Sequence, residues 1–194
     1  MSQIKLLHSG GNGVSIVAPD SNPASDRTLK LPSDGDGTIL TTNSATGKIL
    51  QVVQATTTDV ASFNTSSSFV DGGLSATITP SAASSKILVQ YRYLCGQSGG
   101  NVRATRLARS VNAASYSAIT NVETKVYSGN TQTTSQIHNA ALDFLDTPSY
   151  SLGQTVAYRV EVNSYNTVLY RNQYGGSTGA GAMISTITLM EVAA

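Results

Sequence analysis

Residues 86–94 constrain the fold of this chain more than any other stretch. Ile87, Val89, Tyr91 and Tyr93 alternate with Lys86, Gln90 and Arg92, and Leu88 joins the polar set. Successive side chains of a strand point to opposite faces, so a period of two marks a half-buried antiparallel strand. Residues 155–162 repeat the pattern, with Val156, Tyr158, Val160 and Val162 on one face and Thr155, Arg159 and Glu161 on the other. Clusters of Gly, Ser, Thr, Asn and Pro stand between such runs and supply the turns. No segment carries a capped amphipathic stripe over three helical turns. The expectation is an all-β chain.

Its character changes near Gly47. Before that point lie β-prone stubs at 14–17, 28–31 and 38–42, separated by Gly10-Gly11-Asn12-Gly13, by 19–26 and by 32–37. No stub has enough apolar residues for a core of its own. Residues 1–46 therefore read as a short β-stub attachment or shaft segment whose strand edges need partner chains to cover them. Longer strands follow at 48–56, 68–79 (broken at Gly72-Gly73), 85–95, 102–110, 115–127, 133–146, 155–165, 167–172 and 183–192. Eight or nine strands separated by turns predict a sandwich or jelly-roll head over residues 47–194. The last strand is apolar on both faces, with Ile184, Met190 and Val192 on one and Ile187 and Leu189 on the other. Either another subunit covers its second face or it lies centrally in a thick sandwich.

Charge excludes some partners. Only 12% of residues are charged and the net charge is +1. A nucleic-acid binder would show a basic patch able to displace counterions from phosphates. Arg103, Arg106 and Arg109 do cluster, but alternation points Arg106 away from the other two, and the expectation is a solvated strand face. Cys95 is the single cysteine, so no intrachain disulfide forms, and at the end of an apolar strand it reads as a small hydrophobe. No apolar run is long enough to span a bilayer, and residues 1–13 do not read as a signal peptide. Synthesis in a cytoplasm and no membrane insertion are expected. Asn64-Thr65-Ser66 matches a glycosylation sequon but reads as a polar turn.

Sites for catalysis are sparse. A nucleophilic triad needs a base beside the nucleophile, and the histidines are His8, in a glycine-rich start, and His138, on a strand. Asp143 and Asp146 suggest a glycosidase pair, yet three-residue spacing on a strand puts them on opposite faces. Asp34-Gly35-Asp36-Gly37 imitates a calcium loop, but the twelfth position is Ala45 and not glutamate. Gly47-Lys48 lacks the upstream glycine and the hydroxyl residue of a phosphate loop. No catalytic residue, cofactor or metal is expected.

The residues 27–38, Arg-Thr-Leu-Lys-Leu-Pro-Ser-Asp-Gly-Asp-Gly-Thr, resemble the repeating shaft segments of bacteriophage tail fibres. There a short apolar strand, a proline and an Asp-Gly turn recur ahead of a terminal domain. Residues 47–57, 74–89 and 185–194 are similar to segments of phage fibre head domains, in the same order along the chain. The resemblance covers most of the chain from Arg27 onward, whereas 103–146 match only in strand rhythm. It implies a homotrimer with a jelly-roll-like antiparallel β-sandwich head, located in the virion as a tail fibre or on the capsid surface. Residues 1–46 would hold other tail, baseplate or capsid proteins. The shaft is short and no long anchoring domain precedes it. A short fibre, a distal segment joined to another protein and a capsid-surface fibre all stay open.

The loop 172–182 is the richest candidate surface. Arg171, Asn172, Gln173 and Tyr174 precede Gly175-Gly176 and Gly179-Ala180-Gly181. Tyr, Ser, Asn and Gly make adaptable recognition loops, combining rigid aromatic area with small hydrogen-bonding neighbours. A sugar needs a flat apolar face for stacking and amide or guanidinium groups for its hydroxyls, and these four residues offer both. The expected partner is a host surface polysaccharide or lipopolysaccharide, bound at a tip opposite the virion. The alternative is a structural virion protein with no receptor: a capsid decoration, a fibre connector or a baseplate or collar component.

Overall fold

The computed structural model describes residues 3–7, 9–11, 13–17, 49–66, 68–98, 102–127, 136–165, 167–174 and 183–194. The chain divides into two units, Met1–Ala45 and Thr46–Ala194. In the first, β1 (Gln3–Leu7) pairs antiparallel with β2 (Gly13–Val17), Gln3 opposite Val17 and Leu7 opposite Gly13. Gly11 takes a φ of +91° between them, a conformation in which a side chain would be strained. The sequence pattern located the second of these strands and not the first. The stubs at 28–31 and 38–42, and the shaft-like motif at 27–38, lie outside the described residues.

The second unit holds β3 (Ile49–Thr57), β4 (Ala61–Thr65), β5 (Val70–Ile78), β6 (Lys86–Ser98), β7 (Val102–Val111), β8 (Ser117–Tyr127), β9 (Gln136–Asp146), β10 (Val156–Asn163), β11 (Thr167–Arg171) and β12 (Ser185–Val192). They form two antiparallel sheets packed together as a β-sandwich, with no helix among the described residues. One sheet runs β5-β10-β7-β8. The other is built around β6. β9 follows one edge of β6, while β12 pairs with 86–92 and β11 with 95–98 along the other edge. β3 then flanks β12, and β4 flanks β11.

Alternation fills the space between the sheets. Ile87, Val89, Tyr91, Tyr93 and Cys95 of β6 are buried against Val156, Tyr158, Val160 and Val162 of β10, with Leu74, Ile78, Leu107, Ile187 and Leu189 completing the core. Each such aliphatic side chain contributes about 1.5–3 kcal/mol on full burial. The two tyrosine hydroxyls of β6 inside are paired: that of Tyr91 lies 2.9 Å from Thr105 Oγ1, and that of Tyr93 donates to the Gly72 carbonyl at 2.9 Å.

The break expected at Gly72-Gly73 is a bulge within one strand, β5, and the separate strand β4 precedes it. The β5–β10 pairing steps from Leu74–Val160 to Asp71–Glu161, leaving the two glycines as the extra residues of the bulge. A Cβ at Gly72 would lie 2.8 Å from the Val160 carbonyl oxygen, and Gly73 has a φ of +70°. One expectation is corrected: the three arginines of β7 are not a solvated face. Arg103 is buried and donates to Thr167 Oγ1 at 2.9 Å; Arg109 grips Asp146 at 2.7 and 2.8 Å; Arg106, on the opposite face as expected, grips Glu161 at 2.7 Å.

One buried carboxylate closes the C-terminal strand. Glu191 accepts hydrogen bonds from the Ser81 and Ala82 amides (2.9–3.1 Å), the Ser81 hydroxyl (3.0 Å) and Gln51 Nε2 (2.7 Å). Burial pushes its pKa up, but these donors outweigh burial and hold it at about 2. The Tyr150 hydroxyl donates to the Ala82 carbonyl at 2.7 Å and fixes the same turn from its other side.

A depressed folded pKa means that the ionised group stabilises the fold. That stabilisation is complete above the ordinary glutamate range, about 4.3, and is lost as pH falls from there toward 2. Glu191→Gln is expected to cost about 1.5–3 kcal/mol at pH 7, the range for bonds to a charged group. The variant should also melt with a flatter pH dependence than the wild type between about pH 4.5 and 2. Thermal unfolding by circular dichroism across that range checks both, and parallel profiles would remove Glu191 as the titrating group.

Candidate functional site

β12 runs antiparallel to β3, with Ser185 opposite Thr57 and Val192 opposite Ile49. The end of the sandwich that carries Thr57, Arg171 and Ser185 is therefore opposite the end where the chain enters at Ile49. At this far end β11 leaves its sheet. Asn172 turns the backbone with a φ of 51°, a left-handed conformation that asparagine tolerates, and its amide donates to the Leu94 carbonyl at 2.9 Å.

Two of the four candidate residues point inward. Arg171 is buried, donating from Nε to the Asp59 carbonyl (3.0 Å) and from Nη1 to the Gly72 carbonyl (2.7 Å). Asn172 is buried as well. Its Nδ2 donates to the Thr57 and Asp59 carbonyls at 2.8 and 3.2 Å, and its Oδ1 accepts from Ser185 Oγ at 2.7 Å. The pair ties together the 58–60 connection, the β5 bulge and the start of β12. Glycine at 73 belongs to this arrangement, because a Cβ there would collide with the Arg171 guanidinium.

Gln173 is half-buried, and Tyr174 is 39% exposed. Val60 and Ile184, both exposed, belong to the neighbouring segments at this end. A phenol ring, two aliphatic side chains and one amide make a surface with apolar area and some hydrogen-bonding capacity. The remainder of the expected loop, 175–182, lies outside the described residues.

A second cluster occupies the outer face of the four-stranded sheet. Glu161 is buried between Arg106 (Nε, 2.7 Å) and Arg159 (Nη2, 2.5 Å), and Arg159 also reaches Asp71 at 3.5 Å. The Arg106 guanidinium lies 4.1 Å from the centre of the Phe69 ring, and that of Arg159 lies 4.2 Å from the centre of the Tyr116 ring. Burial raises the Glu161 pKa, yet the two guanidiniums prevail and leave it below the ordinary value. The stack pins the connections that carry Phe69 and Tyr116 onto the sheet, and each charge already has a partner.

The remaining chemistry-bearing groups are engaged or masked by burial. Asp143 is exposed and accepts from Gln90 at 2.9 Å, whereas Asp146 is buried and accepts from Tyr158 (2.6 Å) as well as Arg109. The two sit on opposite faces of β9. Cys95 and His138 are register partners on β6 and β9. Burial pushes the thiol up to about 12, and burial with the nearby Arg103 charge pushes His138 down. Among the described residues no cluster of three or more His, Cys, Asp or Glu side chains could hold a metal ion. No protein-family model matches the chain, and no curated protein matches it.

Replacing Arg171 or Asn172 by alanine removes at least two hydrogen bonds that tie this end together, and each change is expected to cost about 1–3 kcal/mol. Tyr174→Ala should stay within about 0.5 kcal/mol, as surface substitutions do. Urea denaturation of the three variants separates the braces from the surface. A loss for Arg171→Ala as small as that for Tyr174→Ala would show that the guanidinium is not holding this end.

Proposed function

We propose that the chain is a homotrimeric virion fibre protein of the bacteriophage tail-fibre type. Its head is a jelly roll that binds a host surface polysaccharide or lipopolysaccharide at the Tyr174 end, and residues 1–46 attach it to other virion proteins. The observation that carries this reading is the strand order. With β4 counted as a continuation of β3, and β11 joined to β12, the sheets run β3-β12-β6-β9 and β5-β10-β7-β8. The chain changes sheet at each step except β7 to β8. A jelly roll is eight strands wound in this way as two Greek keys. The segments at 27–38, 47–57, 74–89 and 185–194, which resemble phage fibres, supply the class of protein.

Binding at the far end suits the geometry. Arg171 and Asn172 hold the backbone, so that Gln173 and Tyr174 are presented on a fixed support. Less ordering is then lost when a ligand binds. Three weak sites on one body act together through effective concentration. The burial of Arg171 and Asn172 also favours a second reading. It withdraws two of the four polar side chains that a sugar would need, as expected of a structural virion protein with no receptor.

Full-length protein is expected to sediment as a trimer at micromolar concentration, and labelled protein to stain cells of at least one strain in a panel of differing surface polysaccharides. Tyr174→Ala should weaken staining by tenfold or more, since a hot-spot residue is worth about 2 kcal/mol per site before avidity. A monomer would end the trimeric reading. Trimeric protein that stains no strain would favour the structural one.

A further inference from the structure

We infer that the outer face of the six-stranded sheet is where copies of this chain meet, an inference that rests on the trimer proposed above. Val52 on β3, Met190 on β12, Leu88 on β6 and Leu145 on β9 are successive register partners. They therefore share one face and one line from edge to edge of the sheet. Val52 is 57% and Leu145 47% exposed, and Met190 and Leu88 are half-buried. Ile49, 57% exposed, and Leu50 add to this apolar area where β3 begins. Exposed apolar side chains on a monomer are usually scattered singly, whereas a contiguous row marks an interaction surface.

The chemistry of the neighbouring rows identifies the occupant. Next to the aliphatic line stand Gln54, Thr188, Gln90 and Asp143, joined in pairs by hydrogen bonds of 3.0 and 2.9 Å. Beyond them come Thr56, Thr186, Arg92 and Ala141. Arg92 and Asp143 are of opposite sign on adjacent strands, so these rows carry no net charge. Nucleic acid or an anionic membrane would call for a basic face. A sugar would call for an aromatic platform, and these rows hold none. What matches is a surface equally aliphatic, amide-rich and neutral, which this chain itself provides at 12% charged residues and a net charge of +1.

The face is large enough for contact between copies. Four strands at about 4.8 Å spacing and eight residues at about 3.4 Å rise give roughly 500 Å² per copy. Two such faces bury about 1,000 Å² together, where specific interfaces begin.

The test uses the full chain. The double variant Val52→Lys, Leu145→Lys places three pairs of cations at the proposed axis and should sediment as a monomer at concentrations where the wild type is trimeric. The control is Val60→Lys, Leu152→Lys, which changes equally exposed apolar residues away from the row and should stay trimeric. Should the first variant not fold, the thiol introduced by Val52→Cys gives an independent measure, because the native Cys95 is buried. It should react with a soluble disulfide reagent at least tenfold more slowly in the trimer than after dilution to monomer. A folded double variant that remains trimeric, or a Val52→Cys thiol equally reactive in both states, would overturn the inference and leave the trimer standing. A monomeric wild type would overturn both.

Discussion

The sandwich depends on the hydrogen-bond saturation of β6. A strand has two edges of backbone donors and acceptors, and burying either one unpaired would be costly. β6 is the longest strand, and neither edge is left bare: β9 follows one, and β12 and β11 share the other in succession. This arrangement explains why the six-stranded sheet is four positions wide at most points. It also explains why β11 and β12, separated in sequence by the 172–184 connection, lie almost end to end. The core then follows from pleating alone, since five alternate side chains of β6 face β10 whatever else the chain does.

A chain with few charges uses many of them as internal ties. Glu191 is held by amides, Glu161 by two arginines, Asp146 by Arg109 and Tyr158, and Arg171 by backbone carbonyls. Each tie joins elements far apart in sequence: the 81–82 turn to the last strand, β7 to β10, β9 to both, and β5 to β11. Such groups contribute modestly as intact pairs and cost far more when one partner is removed. Their value here is positional, because each fixes where a turn or a strand end lies. The surface is left to hydroxyls and amides as a consequence.

The faces of β6 and β10 were legible because alternation is a local signal and both strands are long. β1 and β4 were not. Gln3–Leu7 has a lysine in the middle, and Ala61–Thr65 is mostly small or polar, so their strand character comes from their partners, the adjacent β2 for β1 and the distant β11 for β4. The candidate site was half legible. A composition of Arg, Asn, Gln and Tyr followed by glycines does resemble a recognition loop. Nothing in that composition says that the carbonyls of Thr57, Asp59 and Gly72 gather at this end as acceptors, and this is what draws Arg171 and Asn172 inward. One signal was present: Leu169 and Arg171 share a face at a period of two, and Leu169 is in the core. The inward arginines of β7 were hidden for the same reason, since Asp146 and Thr167 lie on other elements.

The pairing of the first strand of the sandwich with the last has a consequence in time. β3 meets β12 along its whole length, and all the other strands of the sandwich lie between them in sequence. At a synthesis rate of 5–20 residues per second, about ten seconds pass between the appearance of one and the other. For that interval Val53 and Ala55, which pack on the core, have no sheet to join. The four-stranded sheet, whose last member is β10, can assemble earlier. Closure of the sandwich thus waits for β12, and until then an aliphatic strand must be kept from other nascent copies of itself.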